Sequence, residues 1–139
     1  MHPLASVPVL SVSDHDSLRS SRELLLESVG LSVISMSSDC ALQSEIPRDL
    51  AVAILGYTVD DLSASRIAAE LRRSQPGIRI LRITMQYSRC GTGFDGFCFV
   101  EDGPEAFLSC VAELVTPEMM DEVAMPFLVR TRTSLAYCH

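Results

Sequence analysis

The feature that most constrains the fold is an alternation of short apolar runs with longer stretches of helical periodicity. The apolar runs lie at residues 7–12, 31–35, 51–55, 78–84 and 97–100. Such alternation is typical of strand–helix units that build a parallel sheet covered by helices. The run at 51–55 is apolar throughout, as expected for a strand that is buried on both faces. The sequence therefore predicts a single α/β domain with a five-stranded parallel sheet.

Capping residues and apolar spacing define the helices between these runs. Gly30 is placed to end a first helix, and Pro76 to end a helix over residues 61–74. A short helix is expected near 38–44, and a last helix over 104–115. The core candidates in the helix over 61–74 are Leu62, Ile67, Ala68 and Leu71.

The connection between the fourth and fifth strands is short. Only eight residues separate Thr84 from Gly93. A crossover that contains a helix ordinarily needs roughly ten residues or more. We therefore expect the helix of this fourth connection to be shortened.

The strand–helix pattern stops near residue 115. We interpret residues 1–115 as the α/β domain, and 116–139 as a C-terminal extension that packs on the domain or on a second subunit. Candidate interface residues in this extension are Met119, Met120, Phe127 and Leu128. Methionine adapts to irregular surfaces, so a homodimer with docked or swapped extensions is one possible arrangement.

Composition argues against several classes of function. The net charge is -7, and the eleven basic residues are all arginines scattered along the chain, so a nucleic-acid partner is not expected. No apolar run approaches the ~20 residues of a membrane helix. The N-terminus has no basic segment before an apolar block, so we expect no signal peptide and a cytoplasmic location.

Metal binding through cysteine and histidine is not expected either. The five cysteines show no close pairing, and the three histidines are dispersed, two of them near the chain ends. Structural zinc needs four ligands, usually supplied as close pairs. We expect no cofactor.

The order of elements over residues 8–115 resembles the response-regulator receiver domain. Two local stretches add to the likeness: 26–34, which matches the end of the family's first helix and its second strand, and 94–107, which matches its fifth strand and last helix. The resemblance implies a flavodoxin-like doubly wound sheet with strand order 2-1-3-4-5. It also implies a role in two-component signal transduction.

The same resemblance implies a set of site positions at the carboxyl ends of the strands. The acidic pair that binds Mg²⁺ corresponds to Ser13 and Asp14, and the phosphoacceptor aspartate corresponds to Gly56. The hydroxyl residue corresponds to Thr84, the lysine to Val100 and the aromatic switch residue to Phe97.

Three of these positions depart from the family pattern. Gly56 has no side chain to accept a phosphoryl group, and Val100 has no ammonium group to pair with one. Asp14 alone remains of the acidic pair, which leaves it a single candidate ligand, and we therefore do not expect Mg²⁺ to bind. The pattern indicates a degenerate receiver.

Structural roles account for the remaining acidic residues. We expect Asp14 or Asp16 to cap the first helix, and Asp60 and Asp61 to begin the helix over 61–74. His15 is expected to be a solvated residue of the first helical turn.

The first functional hypothesis is a phosphorylation-independent module that binds a protein partner and is not an enzyme. The surface implied by the resemblance is the face of the fourth helix, the fifth strand and the last helix. One alternative is a small-ligand binder that uses the crevice at the strand ends, where Gly56 leaves room beside Ser13, Asp14, Thr58 and Thr84. Another is an atypical receiver that is phosphorylated on Asp14, Asp16 or Asp60.

Overall fold

A computed structural model describes residues 8–85 and 93–115. The strands are β1 (Pro8–Val12), β2 (Ser32–Met36), β3 (Val52–Leu55), β4 (Arg79–Thr84) and β5 (Gly96–Phe99). The helices are α1 (Asp16–Ser28), α2 (Ser38–Gln43), α3 (Asp61–Ser74) and α4 (Gly103–Leu114), and a 3₁₀ turn, Val100–Asp102, joins β5 to α4.

The five strands form one parallel sheet in the order β2-β1-β3-β4-β5. This is the predicted doubly wound arrangement. In the register, Val12 lies beside both Met36 and Leu55, and Leu55 lies beside Arg82. The carboxyl ends of β1, β2 and β3 therefore meet at one edge, where the loops that follow them come into contact.

Two apolar clusters cover the two faces of the sheet. Representative members of the first, from the sheet, α1 and α4, are Val9, Leu26, Ile54, Leu81 and Val111. Representative members of the second, from the sheet and α3, are Leu10, Leu55, Ile67, Leu71 and Ile80. All four residues of β3 are buried, as its uninterrupted apolar sequence predicts.

Most helix boundaries follow from the capping residues. Gly30 has a φ of 90°, and the next residue, Leu31, donates its backbone N–H to the carbonyl of Leu26. This is the left-handed helix ending that glycine favours. Of the core candidates in α3, Leu62 was wrong: it is 68% exposed. It stands at the second position of the helix, on the face opposite Ile67 and Leu71.

Two predictions fall on segments outside the described residues. In the connection between β4 and β5, the structure describes Met85 and residues 93–95, which are not helical, while 86–92 lies outside. The shortened fourth helix thus stays a prediction. The extension 116–139, with Met119, Met120, Phe127 and Leu128, also lies outside the description.

Candidate functional site at the carboxyl edge of the sheet

The loops after β1 and β3 are joined by direct hydrogen bonds. The Ser13 Oγ and Thr58 Oγ1 atoms are 3.1 Å apart, and the backbone N–H of Asp14 donates to Thr58 Oγ1 at 2.9 Å. Ser13 is fully buried. Ser13, Asp14 and Thr58, which were expected to line an open crevice, are therefore hydrogen-bonded to one another.

Gly56 directly follows β3 and lies against β1. Its backbone N–H donates to the carbonyl of Val12 at 2.9 Å. A Cβ atom added to Gly56 would lie 2.5 Å from Arg22 Nη1 and 3.2 Å from the Val12 carbonyl oxygen. The first distance is shorter than real Cβ contacts. The expectation that Gly56 leaves room for a ligand was therefore wrong, because the Arg22 guanidinium fills that space.

Arg22 reaches this position from the core-facing side of α1, one turn before the buried Leu26. It is 6% exposed, and its guanidinium carbon lies 5.9 Å from the centre of the Tyr57 ring. Nη1 is buried and has no hydrogen-bond partner among the described residues. Burial lowers the pKa of Arg22, and Tyr57 and Cys98 oppose that shift. An arginine remains protonated at neutral pH, so a positive charge lies beside Gly56.

A second buried arginine, Arg82 on β4, supports the loop between β3 and α3. It is 4% exposed. Its guanidinium donates to the carbonyls of Gly56 at 2.7 Å and Val59 at 2.9 Å, and to Asp61 Oδ1 at 2.9 Å. These bonds satisfy carbonyl oxygens of an irregular segment that has no strand partner. The backbone at Gly56 is therefore fixed by a side chain from the neighbouring strand.

Asp14 bonds to the start of α2. Its Oδ1 accepts from the backbone N–H of Ser38 at 2.7 Å, and its Oδ2 accepts from the Ser38 hydroxyl at 2.8 Å. The N-cap of α1 is His15, which makes no side-chain cap bond, while Asp16 lies in the first turn and pairs with Arg19. The expectation that Asp14 or Asp16 caps α1 was wrong. The pairing of β1 with β2 carries Asp14 toward the N-terminus of α2, where backbone N–H groups favour a carboxylate.

Replacing Asp14 by alanine is expected to lower the free energy of unfolding by about 1–2 kcal/mol, because the first turn of α2 loses a charge-assisted acceptor. Urea denaturation measures the change. Asp16→Ala is the matched control, and we expect a change within about 0.5 kcal/mol for that exposed carboxylate. Equal effects of the two substitutions would contradict the role assigned to Asp14.

Comparison with solved structures decides the fold. No family model and no curated protein matches the chain. The signal receiver domain of an HD domain-containing protein from Pseudomonas fluorescens superposes with a TM-score of 0.65 at 12% identity, covering 78% of this chain and 94% of that one. A CheY-like receiver domain protein from Methanospirillum hungatei gives 0.61 at 16% identity, covering 86% and 98%. The fold is that of a receiver domain.

A longer relative in fold is RcsB, from a structure of two RcsB dimers bound to two parallel DNAs. Its TM-score is 0.62 at 18% identity, and the match covers 78% of this chain but 63% of that one. The receiver fold of the present chain thus corresponds to part of that protein.

The remaining receiver positions lie at the ends of β4 and β5. Thr84 is buried, and its Oγ1 has no hydrogen-bond partner among the described residues. Val100 begins the turn after β5 and packs on the apolar cluster of α1 and α4. Phe97 is half-buried and meets Phe94 edge to face, with ring centres 5.8 Å apart. Val100 thus places an apolar side chain where the receiver resemblance expects an ammonium group.

The residues at this edge do not fit the Mg²⁺ ion that the receiver fold implies. Both carboxylate oxygens of Asp14 accept bonds from Ser38, and its neighbour Ser13 carries no charge. Across residues 8–85 and 93–115, no group of three or more His, Cys, Asp or Glu side chains is placed to hold a metal ion. A hard cation needs several oxygen ligands, and one committed carboxylate does not supply them.

Asp60 and Asp61 take the structural roles expected of them. Asp60 is the N-cap of α3 and accepts from the backbone N–H of Ser63 at 3.1 Å, and hydrogen bonding to Ser63 lowers the pKa of its exposed carboxyl group. Asp61 opens the helix and accepts the bond from Arg82. Their carboxylates serve the start of α3 and the loop before it.

The sequence interpretation missed Arg22 and Arg82 as site residues. Arg22 occupies a helix position whose spacing from Leu26 places it toward the core, and Arg82 interrupts an apolar strand. The signal that could have identified them is a charged residue at a position where the helix or strand pattern expects an apolar one. A buried arginine ordinarily needs partners, so such a position indicates a specific role.

Proposed function

We propose that this chain is a receiver-like module that acts in signal transduction by binding a protein partner, without being phosphorylated and without enzymatic activity. The observation that carries the proposal is the Arg22 guanidinium, which lies where a side chain at Gly56 would be. A receiver carries its acceptor carboxylate at that point. Here the point holds a positive charge from α1 and no nucleophile.

The surroundings of Gly56 support the same conclusion. Phosphoryl transfer depends on a positioned nucleophile and on charges aimed at the transferred group. The guanidinium of Arg82 donates its hydrogen bonds to carbonyl oxygens of the loop, and the side chain of Val100 carries no charge. Two bonds hold the loop after β3 on opposite sides. Its Thr58 hydroxyl accepts from the backbone N–H of Asp14, and its Val59 carbonyl accepts from Arg82. A loop fixed in this way does not offer the movement that a phosphorylation switch requires.

We place the partner surface on β5 and on the exposed first turn of α4, at Pro104 and Glu105, because residues 107–112 of α4 are buried. The extension 116–139 and its four apolar candidates would be a covering segment or a dimer contact. Within the described residues, no helix has the length and apolar character to cross a bilayer. The expectations of a cytoplasmic location and of no nucleic-acid partner stay predictions. RcsB dimers bind DNA, but the present chain matches only part of that protein and carries a net charge of -7.

Incubation with acetyl phosphate and Mg²⁺ tests the proposal. We expect native mass spectrometry to show an unmodified chain, with a receiver that retains its aspartate labelled in parallel as the positive control. The same spectra report whether the chain is a dimer. Addition of one phosphoryl group would refute phosphorylation independence, and peptide mapping would then distinguish Asp14, Asp16 and Asp60 as acceptors.

A further inference from the structure

A small cleft lies between α1 and the segment that runs from β5 into α4. Its volume is about 200 Å³. The lining side chains are mostly apolar, and we call this space the α1–α4 cleft. They include Leu18 and Leu25 from α1, and Val100, Pro104 and Phe107 from the opposite wall. Arg22 and Ser21 are the polar exceptions on the α1 side. Among the described residues, the cleft therefore combines an apolar wall with one buried cation.

Among residues 8–85 and 93–115, Arg22 differs from the buried Arg82 in that no hydrogen bond or ion pair joins it to a carboxylate or a carbonyl oxygen. Arg82 donates to the carbonyl oxygens of Leu55, Gly56 and Val59 and to Asp61. The Nη1 of Arg22 is buried with no hydrogen-bond partner among the described residues, and its guanidinium carbon lies 5.9 Å from the centre of the Tyr57 ring. A buried charge without a partner costs free energy. A ligand anion that reaches the guanidinium would recover part of that cost.

We propose that the α1–α4 cleft binds a small organic monocarboxylate, with its carboxylate on Arg22 and its apolar part between α1 and α4. The planar guanidinium matches a carboxylate with two parallel hydrogen bonds. One cation balances one negative charge, and the apolar walls select against bare anions. The volume of about 200 Å³ is below the roughly 300–1,000 Å³ of drug-sized sites, so the ligand is small. The site stands independently of the proposed signalling function.

Calorimetric titration of the full chain tests this site. The probe is hexanoate, and the controls are hexanamide, which has the same apolar chain without the charge, and acetate and inorganic phosphate, which lack the apolar chain. We expect hexanoate to bind about tenfold or more tightly than any of the three, as a charge-assisted hydrogen bond implies. Equal binding of hexanamide would overturn the role of Arg22, and equal binding of acetate or phosphate would overturn the role of the apolar walls.

Two variants locate the binding. Arg22→Met removes the guanidinium and keeps an apolar side chain, and it is expected to weaken hexanoate binding about tenfold, so that hexanoate and hexanamide bind the variant about equally. Ser21→Phe fills the cleft from an exposed helix position and is expected to abolish binding. Ser20→Phe is its matched control, on the same helix but outside the lining, and should bind as the parent does. Unchanged hexanoate affinity in Arg22→Met or in Ser21→Phe would overturn the proposal.

Discussion

Replacing Arg82 by methionine is expected to lower the free energy of unfolding by about 3 kcal/mol, because carbonyl oxygens of Gly56 and Val59 lose a buried donor. Both bonds are short, at 2.7 Å and 2.9 Å. The ion pair with Asp61 contributes little to this figure, since the Asp61 side chain is exposed. Urea denaturation measures the free energy of unfolding. The substitution should also increase the rate of backbone hydrogen exchange, and the increase should be larger in residues 56–60 than in α3.

Arg79→Met is the matched control for this prediction. Arg79 lies on the same strand, with a side chain that is 51% exposed and an ion pair to Asp95 of 3.9 Å. We expect its substitution to change the stability by no more than about 0.5 kcal/mol. If Arg79→Met and Arg82→Met cost the same, the buried bonds of Arg82 would not be what holds the loop.

Local sequence signals predicted the helices and strands of the described residues well. The bounds of α3 agree with the prediction of 61–74 because Asp60 supplies a side-chain cap and Pro76 follows the other end. The apolar composition of β3 predicted burial on both faces of the sheet, and all four of its residues are buried. The fold follows from such signals because strand and helix periods are short-range properties of the chain.

The site was less predictable because its contacts join residues distant in sequence. Asp14 meets Ser38 only because β1 and β2 pair in register, and a capping rule applied to neighbouring residues assigned Asp14 to the wrong helix. Arg22 on α1 lies against Gly56, which follows β3 and is 34 positions later in the sequence. The resemblance identified Gly56 as the altered position. It could not show that a side chain from another element had taken the space.

A double-mutant cycle between Arg22 and Gly56 has the second large expected effect. In Gly56→Asp, the tip of Arg22 can shift to pair with the new carboxylate, since the close contact is with the end of a flexible side chain. In the Arg22→Met background we expect the same carboxylate to be buried without the Arg22 guanidinium as its partner. We expect the two substitutions to be coupled by about 3 kcal/mol in the free energy of unfolding, measured by urea denaturation of the four chains at neutral pH.

Gly77→Asp is the control for this cycle. A Cβ at Gly77 meets no atom within 4 Å, so its carboxylate should be solvated and its coupling to Arg22 should be close to zero. The same four chains also test the chemistry. The Gly56→Asp chain should remain unlabelled by acetyl phosphate and Mg²⁺, because its carboxylate is paired with Arg22, Val100 supplies no ammonium and Asp14 is bound to Ser38. Labelling of that chain would show that a carboxylate at residue 56 is sufficient for phosphorylation, and a coupling near zero would show that Arg22 does not occupy the space of a side chain at residue 56.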